Sequence, residues 1–209
     1  MEISITRALA ELKLLDSRIT RGIDTITFVA CNKKSAKNVN GRVTKEEFDS
    51  SVKSSFQSIT DLIERKKLIK SAIVESNAKT IVVINKKEMT VADAIERKNN
   101  IEYEKDLLDE MKNQLRRAVS NMESRNQEVD MKLNKLLETM LGSDNAKNVD
   151  KETNEFAVSY RNDNEYEIID PLGIDLVIKK FEEEIENFES EVDYVLSESN
   201  TITKIVIPD

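Results

Sequence analysis

The sequence predicts a mainly α fold of the α+β kind: long antiparallel helices, one of them a coiled-coil arm, with a small β-sheet formed by hairpins and the C-terminal strand. Three observations carry that expectation. Apolar residues recur at steps of three and four along most of the 209 residues, the signature of amphipathic helices. Charged residues reach 34% while aromatic residues stay at 5%, a balance that suits elongated helices better than a compact α/β enzyme. Four glycines and two prolines fall near the borders of the periodic stretches, where they punctuate rather than interrupt.

From Ser4 to Ile23 the apolar positions are Ile5, Ala8, Leu12, Leu15, Ile19 and Ile23, one helical stripe, with Gly22 placed as a stop. The β-prone run Thr25-Ile-Thr-Phe-Val29 predicts a short strand, and residues 30–43 read as a polar, mildly basic loop. Thr44 and Glu47 have the spacing of a capping box, and the stripe Phe48, Val52, Phe56, Ile59, Leu62, Ile69 and Ile73 predicts a helix to about Asn77. Thr80-Ile-Val-Val-Ile84 and Met89 predict a hairpin over 79–90, after which Thr90 and Asp93 repeat the capping pattern. The next stripe runs from Val91 to Met140 without Gly or Pro, thinning near 121–126, where a break is expected if one exists. Fifty helical residues span roughly 75 Å, the length of an arm rather than a globular helix. Residues 143–154 form a polar link and a sub-boundary within what is otherwise a single elongated helical domain, 1–209. Phe156–Tyr160 and Tyr166–Ile169 around Arg161-Asn-Asp-Asn164 read as a hairpin. Asp170 as N-cap with Pro171 at the first helical position opens a last helix with Ile174, Val177, Ile178, Phe181, Ile185, Phe188, Val192 and Leu196. Thr201–Ile207 closes the chain as a strand.

Two ten-residue stretches, 75–84 and 198–207, match at six positions and each follows a helix directly. Asn77 and Asn200 are therefore expected as left-handed helix terminators, each turning the chain into a strand of one shared sheet.

The net charge of −8 conceals an asymmetry. Residues 1–142 carry 26 Lys+Arg against 22 Asp+Glu, whereas residues 143–209 carry 6 against 18. Complementarity between segments that pack together, within a chain or between copies, accounts for it. The acidic final third argues against nucleic acid as a partner. No 18-residue apolar run exists, and the N-terminus lacks a basic region ahead of an apolar stretch, so neither a membrane span nor a signal peptide is expected.

Catalytic chemistry is sparse. With no histidine, triads and imidazole metal sites are excluded, and a single cysteine, Cys31, rules out an intrachain disulfide and Cys-rich zinc sites. Cys31 reads as an inert or partly buried thiol. The four glycines cannot build a phosphate loop, and Glu182 with Glu186 reads as a solvated helix face. No cofactor is expected. Two basic clusters remain: Arg65-Lys66-Lys67, and Arg116-Arg117, with Arg97 between them in sequence. They serve either as partners of the acidic last helix or as an anion or nucleotide pocket built by Arg65, Lys66, Arg97, Arg116 and Arg117, since arginine forks suit phosphate. In the second case Arg65 and Arg97 approach each other near the hairpin, and Tyr103, Tyr160 or Tyr166 stacks a base.

The order of parts resembles the septicolysin-like family of small helical proteins found in bacteria and their phages. The matching residues are Arg7-Ala-Leu-Ala-Glu-Leu in the leading helix, Ser76-Asn77 at the end of the second, Thr90-Val-Ala-Asp-Ala-Ile-Glu-Arg97 opening the long helix, and Asn200 closing the last. Residues 24–43 stand as an insertion against that order. The resemblance implies no catalytic residues, and the Lys/Glu/Asn-rich composition is similar to that of a low-GC Gram-positive bacterium or its phage.

The expected function is therefore a non-enzymatic, homo-oligomeric interaction or structural protein, cytoplasmic, or in the host cytoplasm if phage-encoded. The alternatives are a phage counter-defence protein that sequesters a nucleotide-type signal, and a virion or tail component.

Overall fold

Helix α1 (Ile5–Thr25) starts where Ser4 accepts the Arg7 N–H at 3.3 Å, and it buries Ile5, Ala8 and Leu15 from the predicted stripe. The computed structural model describes residues 1–39, 41–142, 146, 150 and 154–208. The helix runs past Gly22 and closes on the Thr25 hydroxyl, which donates to the Arg21 carbonyl at 2.8 Å. Gly22 is thus no stop. A Cβ there would lie 3.0 Å from Ile59 Cγ1, so the glycine lets two helices approach closely.

The strand expected at 25–29 does not form. Residues 26–30 have no regular structure, because β-prone side chains need a neighbouring strand and none of the described residues supplies one. Phe28 instead meets Phe56 edge-on at 6.4 Å, and Val29 is 84% exposed. The loop pairs only briefly, with β2 (Asn38–Val39) against β3 (Val43–Thr44).

Helix α2 (Lys45–Lys79) opens with the predicted capping box. The Thr44 hydroxyl accepts the Glu47 N–H at 3.2 Å and the Glu47 carboxylate accepts the Thr44 N–H at 2.9 Å. The Thr44 N–H, and after it the Thr44 hydroxyl at 3.1 Å, donate to the Glu47 carboxylate and hold it below its ordinary value. Asn77 lies inside α2 rather than ending it, and the helix closes when the Thr80 N–H reaches the Ser76 carbonyl. The two non-glycine residues with positive φ among those described are Asn85 and Lys86, at 49° and 60°. They form the two-residue turn between β4 (Ile81–Ile84) and β5 (Lys87–Thr90), whose register pairs Ile84 with Lys87. Two positive φ values match the right-handed strand twist of a type I′ hairpin. Val82 and Ile84 face inward while Ile81 and Val83 face out.

Helix α3 (Val91–Leu141) is capped by Thr90 and Asp93, with the Asp93 N–H on the Thr90 hydroxyl at 3.0 Å. It continues unbroken through 121–126. The stripe thins there because Asn126 occupies the inward position and its amide pairs with backbone: it accepts the Tyr166 N–H at 2.8 Å and donates to the Tyr166 carbonyl at 2.9 Å.

The expected hairpin over 156–169 is a correction. Residues Glu155–Asn164 form helix α4, with Asn154 accepting the Ala157 N–H at 3.1 Å. Helical spacing puts Ala157 and Tyr160 together on Leu133 and Leu137, contacts that an alternating strand would have split between two faces. Helix α5 (Ile174–Ile202) starts three residues after Pro171, which lies in a turn ahead of it, not at its first position. The Asp170 carboxylate takes the N–H groups of Leu172 at 3.2 Å and Ile174 at 2.7 Å, and Gly173 supplies a φ of +62°. Like Asn77, Asn200 is inside its helix. The closing strand β6 (Lys204–Val206) pairs with β1 (Glu2–Ser4), Ile3 opposite Ile205.

Among the described residues the β elements form three separate two-stranded antiparallel sheets rather than one sheet shared by the echoed segments. The fold class holds: the chain is mainly α with small β elements and long helices. Its contacts divide it into two compact units, residues 1–99 with 187–209, and residues 100–186. The division falls at 99/100 and 186/187. The expected boundary at 143–154 lies mostly outside the described residues. In the first unit Ile3, Ile5, Ala8, Leu15, Ile69, Ile73, Ile205 and Ile207 form the core, and α1 runs antiparallel to α2. In the second, Leu133, Leu137, Ala146 and Ala157 form a small cluster.

The Asn77 Oδ1 atom is enclosed without a hydrogen-bond partner among the described residues. An unsatisfied polar atom costs about 1–3 kcal/mol, and asparagine is a poorer helix former than alanine. Asn77→Ala is therefore expected to raise the stability of the first unit by about 1 kcal/mol. Urea denaturation followed by helix signal checks it, and a loss of stability would show that the amide contributes a contact.

Candidate functional site

The five cations singled out in the sequence fall in different places. Arg65 and Lys66 lie on the face of α2 that meets α1. Arg65 Nε donates to Glu11 at 3.0 Å and its Nη1 to the Pro208 carbonyl at 3.0 Å, and Lys66 pairs with Asp16. Their partners are acids of the first helix, not of the last. Arg65 therefore links α2, α1 and the chain end, a use of the guanidinium fork that a lysine cannot reproduce.

Arg97, also in the first unit, lies over the Phe188 ring at 4.3 Å from its centroid. Phe188 is 1% exposed, so the cation covers the face of a buried ring. Arg116 and Arg117 belong to the second unit. Arg117 donates to Glu110 at 2.9 Å and to the Asn113 carbonyl at 3.3 Å, both on its own helix. Glu110 is held below its ordinary value, first by the Gln114 amide and then by the Arg117 charge. Arg116 is exposed. The acidic last helix does take cations from α3, but through different residues: Lys98 with Asp193 in the first unit, and Lys112 with Glu182 at 2.6 Å in the second. Glu191 also accepts the Asn85 N–H of the hairpin turn at 2.7 Å.

A groove of the first unit lies elsewhere, between the end of α1 and the first half of α2, with a volume of about 570 Å³. Arg18, Ser51, Ser54, Ser55 and Ser58 line it over a floor that includes Ile59. Arg18 has no carboxylate partner among the described residues. The hydroxyls share one helix face because serines at 51, 54, 55 and 58 follow three- and four-residue spacing. That spacing is visible in the sequence, but the serines flank the apolar stripe of Phe48, Val52, Ile59 and Leu62, whose helical period dominates the pattern. Phe56, beside Ser55, is 59% exposed. Cys31 is exposed rather than partly buried.

Among the described residues no cluster of three His, Cys, Asp or Glu is placed to hold a metal ion, and no helix is long and apolar enough to cross a membrane. Comparison of the chain with protein-family models, curated proteins and solved structures finds no match.

Because Arg65 bridges to the Pro208 carbonyl, Arg65→Ala is expected to loosen the C-terminal segment. Amide hydrogen exchange at 204–207 reads this as faster exchange, with α3 unchanged. Unaltered exchange at 204–207 would show that the β1–β6 pairing holds the segment alone.

Proposed function

We propose that this chain is a non-enzymatic interaction protein that works as a homo-oligomer, in a bacterium or its phage. The observation that carries the reading is apolar surface displayed on ordered backbone. Ile169 is 86% exposed, Leu176 74%, Val206 72%, Ile202 70% and Leu172 69%. Scattered exposed aliphatics are ordinary, but several within one short stretch, as at 169–176, are the mark of a surface that another protein covers. The lack of histidine and of a phosphate loop supports work by contact rather than by catalysis. Light scattering at micromolar concentration is expected to return a multiple of 23.9 kDa. A strict monomer across the micromolar range would contradict the oligomer.

A second reading, binding and sequestration of a nucleotide-type anion, is favoured by the groove lined by Arg18 and the α2 serines. Its volume lies in the range that takes small ligands, and serine hydroxyls with an arginine suit a phosphate. The cations Arg65, Lys66, Arg97 and Arg117 are then structural rather than ligand-binding. A nucleotide panel in a thermal-shift assay tests it: a ligand at a hundredfold its Kd stabilises by about 2.7 kcal/mol, and Arg18→Ala is expected to abolish the shift. A flat panel would contradict this reading and leave the oligomer standing.

A further inference from the structure

The segment joining α4 to α5, residues 165–173, has no regular structure, yet it is held at both ends. Asn126 pairs with both backbone groups of Tyr166, and the Arg125 guanidinium lies 5.8 Å from the Tyr166 ring centroid. At the other end Asp170 holds the N–H groups of Leu172 and Ile174. Between and beyond these pins, Ile169, Leu172 and Leu176 face solvent. A backbone fixed in advance while its aliphatic side chains stay in water has the property that lowers the ordering cost of association.

The charge around it is of one sign. From Asn162 to Ile178 the chain has Asp163, Glu165, Glu167, Asp170 and Asp175, and neither Lys nor Arg. Glu165 is engaged by Arg161 at 3.5 Å and Asp175 by Lys179 at 2.6 Å, whereas Asp163 and Glu167 are exposed. The chain contains a segment of the opposite kind. Between Asp24 and Glu46 there is no acid, and Lys33, Lys34, Lys37, Arg42 and Lys45 supply five cations. This segment too is largely irregular, and it too displays apolar side chains, Phe28 and Val29. Its β-prone residues 26–29 find no partner strand among the described residues.

We infer that the acidic, aliphatic segment 163–176 is a docking surface for a second copy of this chain, and that its occupant is the basic loop 26–45 of that copy. Lys33, Lys34 and Lys37 of the second copy face Asp163 and Glu167, while Phe28 and Val29 cover Ile169 and Leu172. In a two-fold dimer each copy offers one of each segment, so the contact is made twice. Opposite charges set the register and speed encounter, and the aliphatic contact supplies the affinity. The inference rests on the oligomeric reading above and adds to it the surface that assembles.

The test is a charge swap in the full-length chain, read by analytical ultracentrifugation, with circular dichroism confirming that the helices persist. One set is Asp163→Lys with Glu167→Lys. The other is Lys33→Glu, Lys34→Glu and Lys37→Glu. Each set alone is expected to raise the dimer Kd by about tenfold or more, as like charges then face each other. The two sets combined are expected to restore it to within a few-fold. Ile169→Asp is expected to weaken the dimer without rescue by either set. Should one set lose its helix signal, wild-type protein decides: its Kd must rise steeply between about 50 and about 500 mM salt, as screening of exposed charges requires. An oligomeric wild type unaffected by both sets and by Ile169→Asp would overturn this surface and leave the oligomer intact. A monomeric wild type would overturn both.

Discussion

Ile3 and Ile205 face each other across the β1–β6 pair, and with Ile207 they pack on the aliphatic faces of α1 and α2. The first unit depends on this meeting of the two chain ends. The Met1 amino group donates to the Ile207 carbonyl at 2.8 Å, and the Ile207 N–H returns to the Met1 carbonyl at 2.9 Å. A two-stranded sheet is marginal by itself, so its stability comes from the apolar surface it shares with the helices. Ile69 and Ile73 of α2 belong to the same cluster as Ile3, Ile205 and Ile207 of the strand pair. Ala8 and Gly22 permit the close approach, since α1 offers only a methyl group at one position and no side chain at the other. The cluster contains no polar side chain, so its energy is burial, at roughly 25 cal/mol per Å².

The second unit is an excursion from the first, since the chain leaves at Asn99 and returns at Asn187. Its tie points are more polar. Asp130 accepts Arg161 at 2.8 Å, Asn126 holds Tyr166, and Lys112 meets Glu182. These are partly exposed pairs that each contribute little. Their value is positional: they fix where the return segment lies, and so which side chains it leaves in water. Residues 100–186 carry 12 Lys+Arg against 22 Asp+Glu, so this unit holds more than the whole of the chain's negative excess. The first unit, close to neutral, carries the basic loop. That separation of charge gives the proposed assembly its direction.

The legible features were those that depend on local chemistry. Thr44 with Glu47, and Thr90 with Asp93, are capping groups whose partners lie three residues away, and each opens its helix as spaced. The stripes of α1, α3 and α5 bury at most of the expected positions, though Ile23 at the end of α1 and Met140 at the end of α3 are exposed. What could not be read depends on distant partners. Thr25–Val29 has the composition of a strand without a strand beside it. Phe156–Tyr160 has the same composition, yet Leu133 and Leu137 present a surface that rewards a helix. β1 is only three residues long and is defined by a partner about two hundred residues away, so no local pattern could announce it. The basic residues show the same limit. Arg65 looks in sequence like a ligand group, and its partners Glu11 and Pro208 come from the two ends of the chain.

The dependence of the first unit on its paired ends can be tested at Ile207, which is fully buried beside Ile3 and Ile5 in the aliphatic cluster. A carboxylate there cannot be accommodated without a partner. Hydrogen exchange of Ile207→Asp in the full-length chain is the most direct measurement. β1, β6, α1 and the second half of α2 are expected to lose protection together, while α4 and the Leu133–Leu137 region keep theirs. Loss confined to residues 203–208, with α1 and α2 as protected as before, would contradict it.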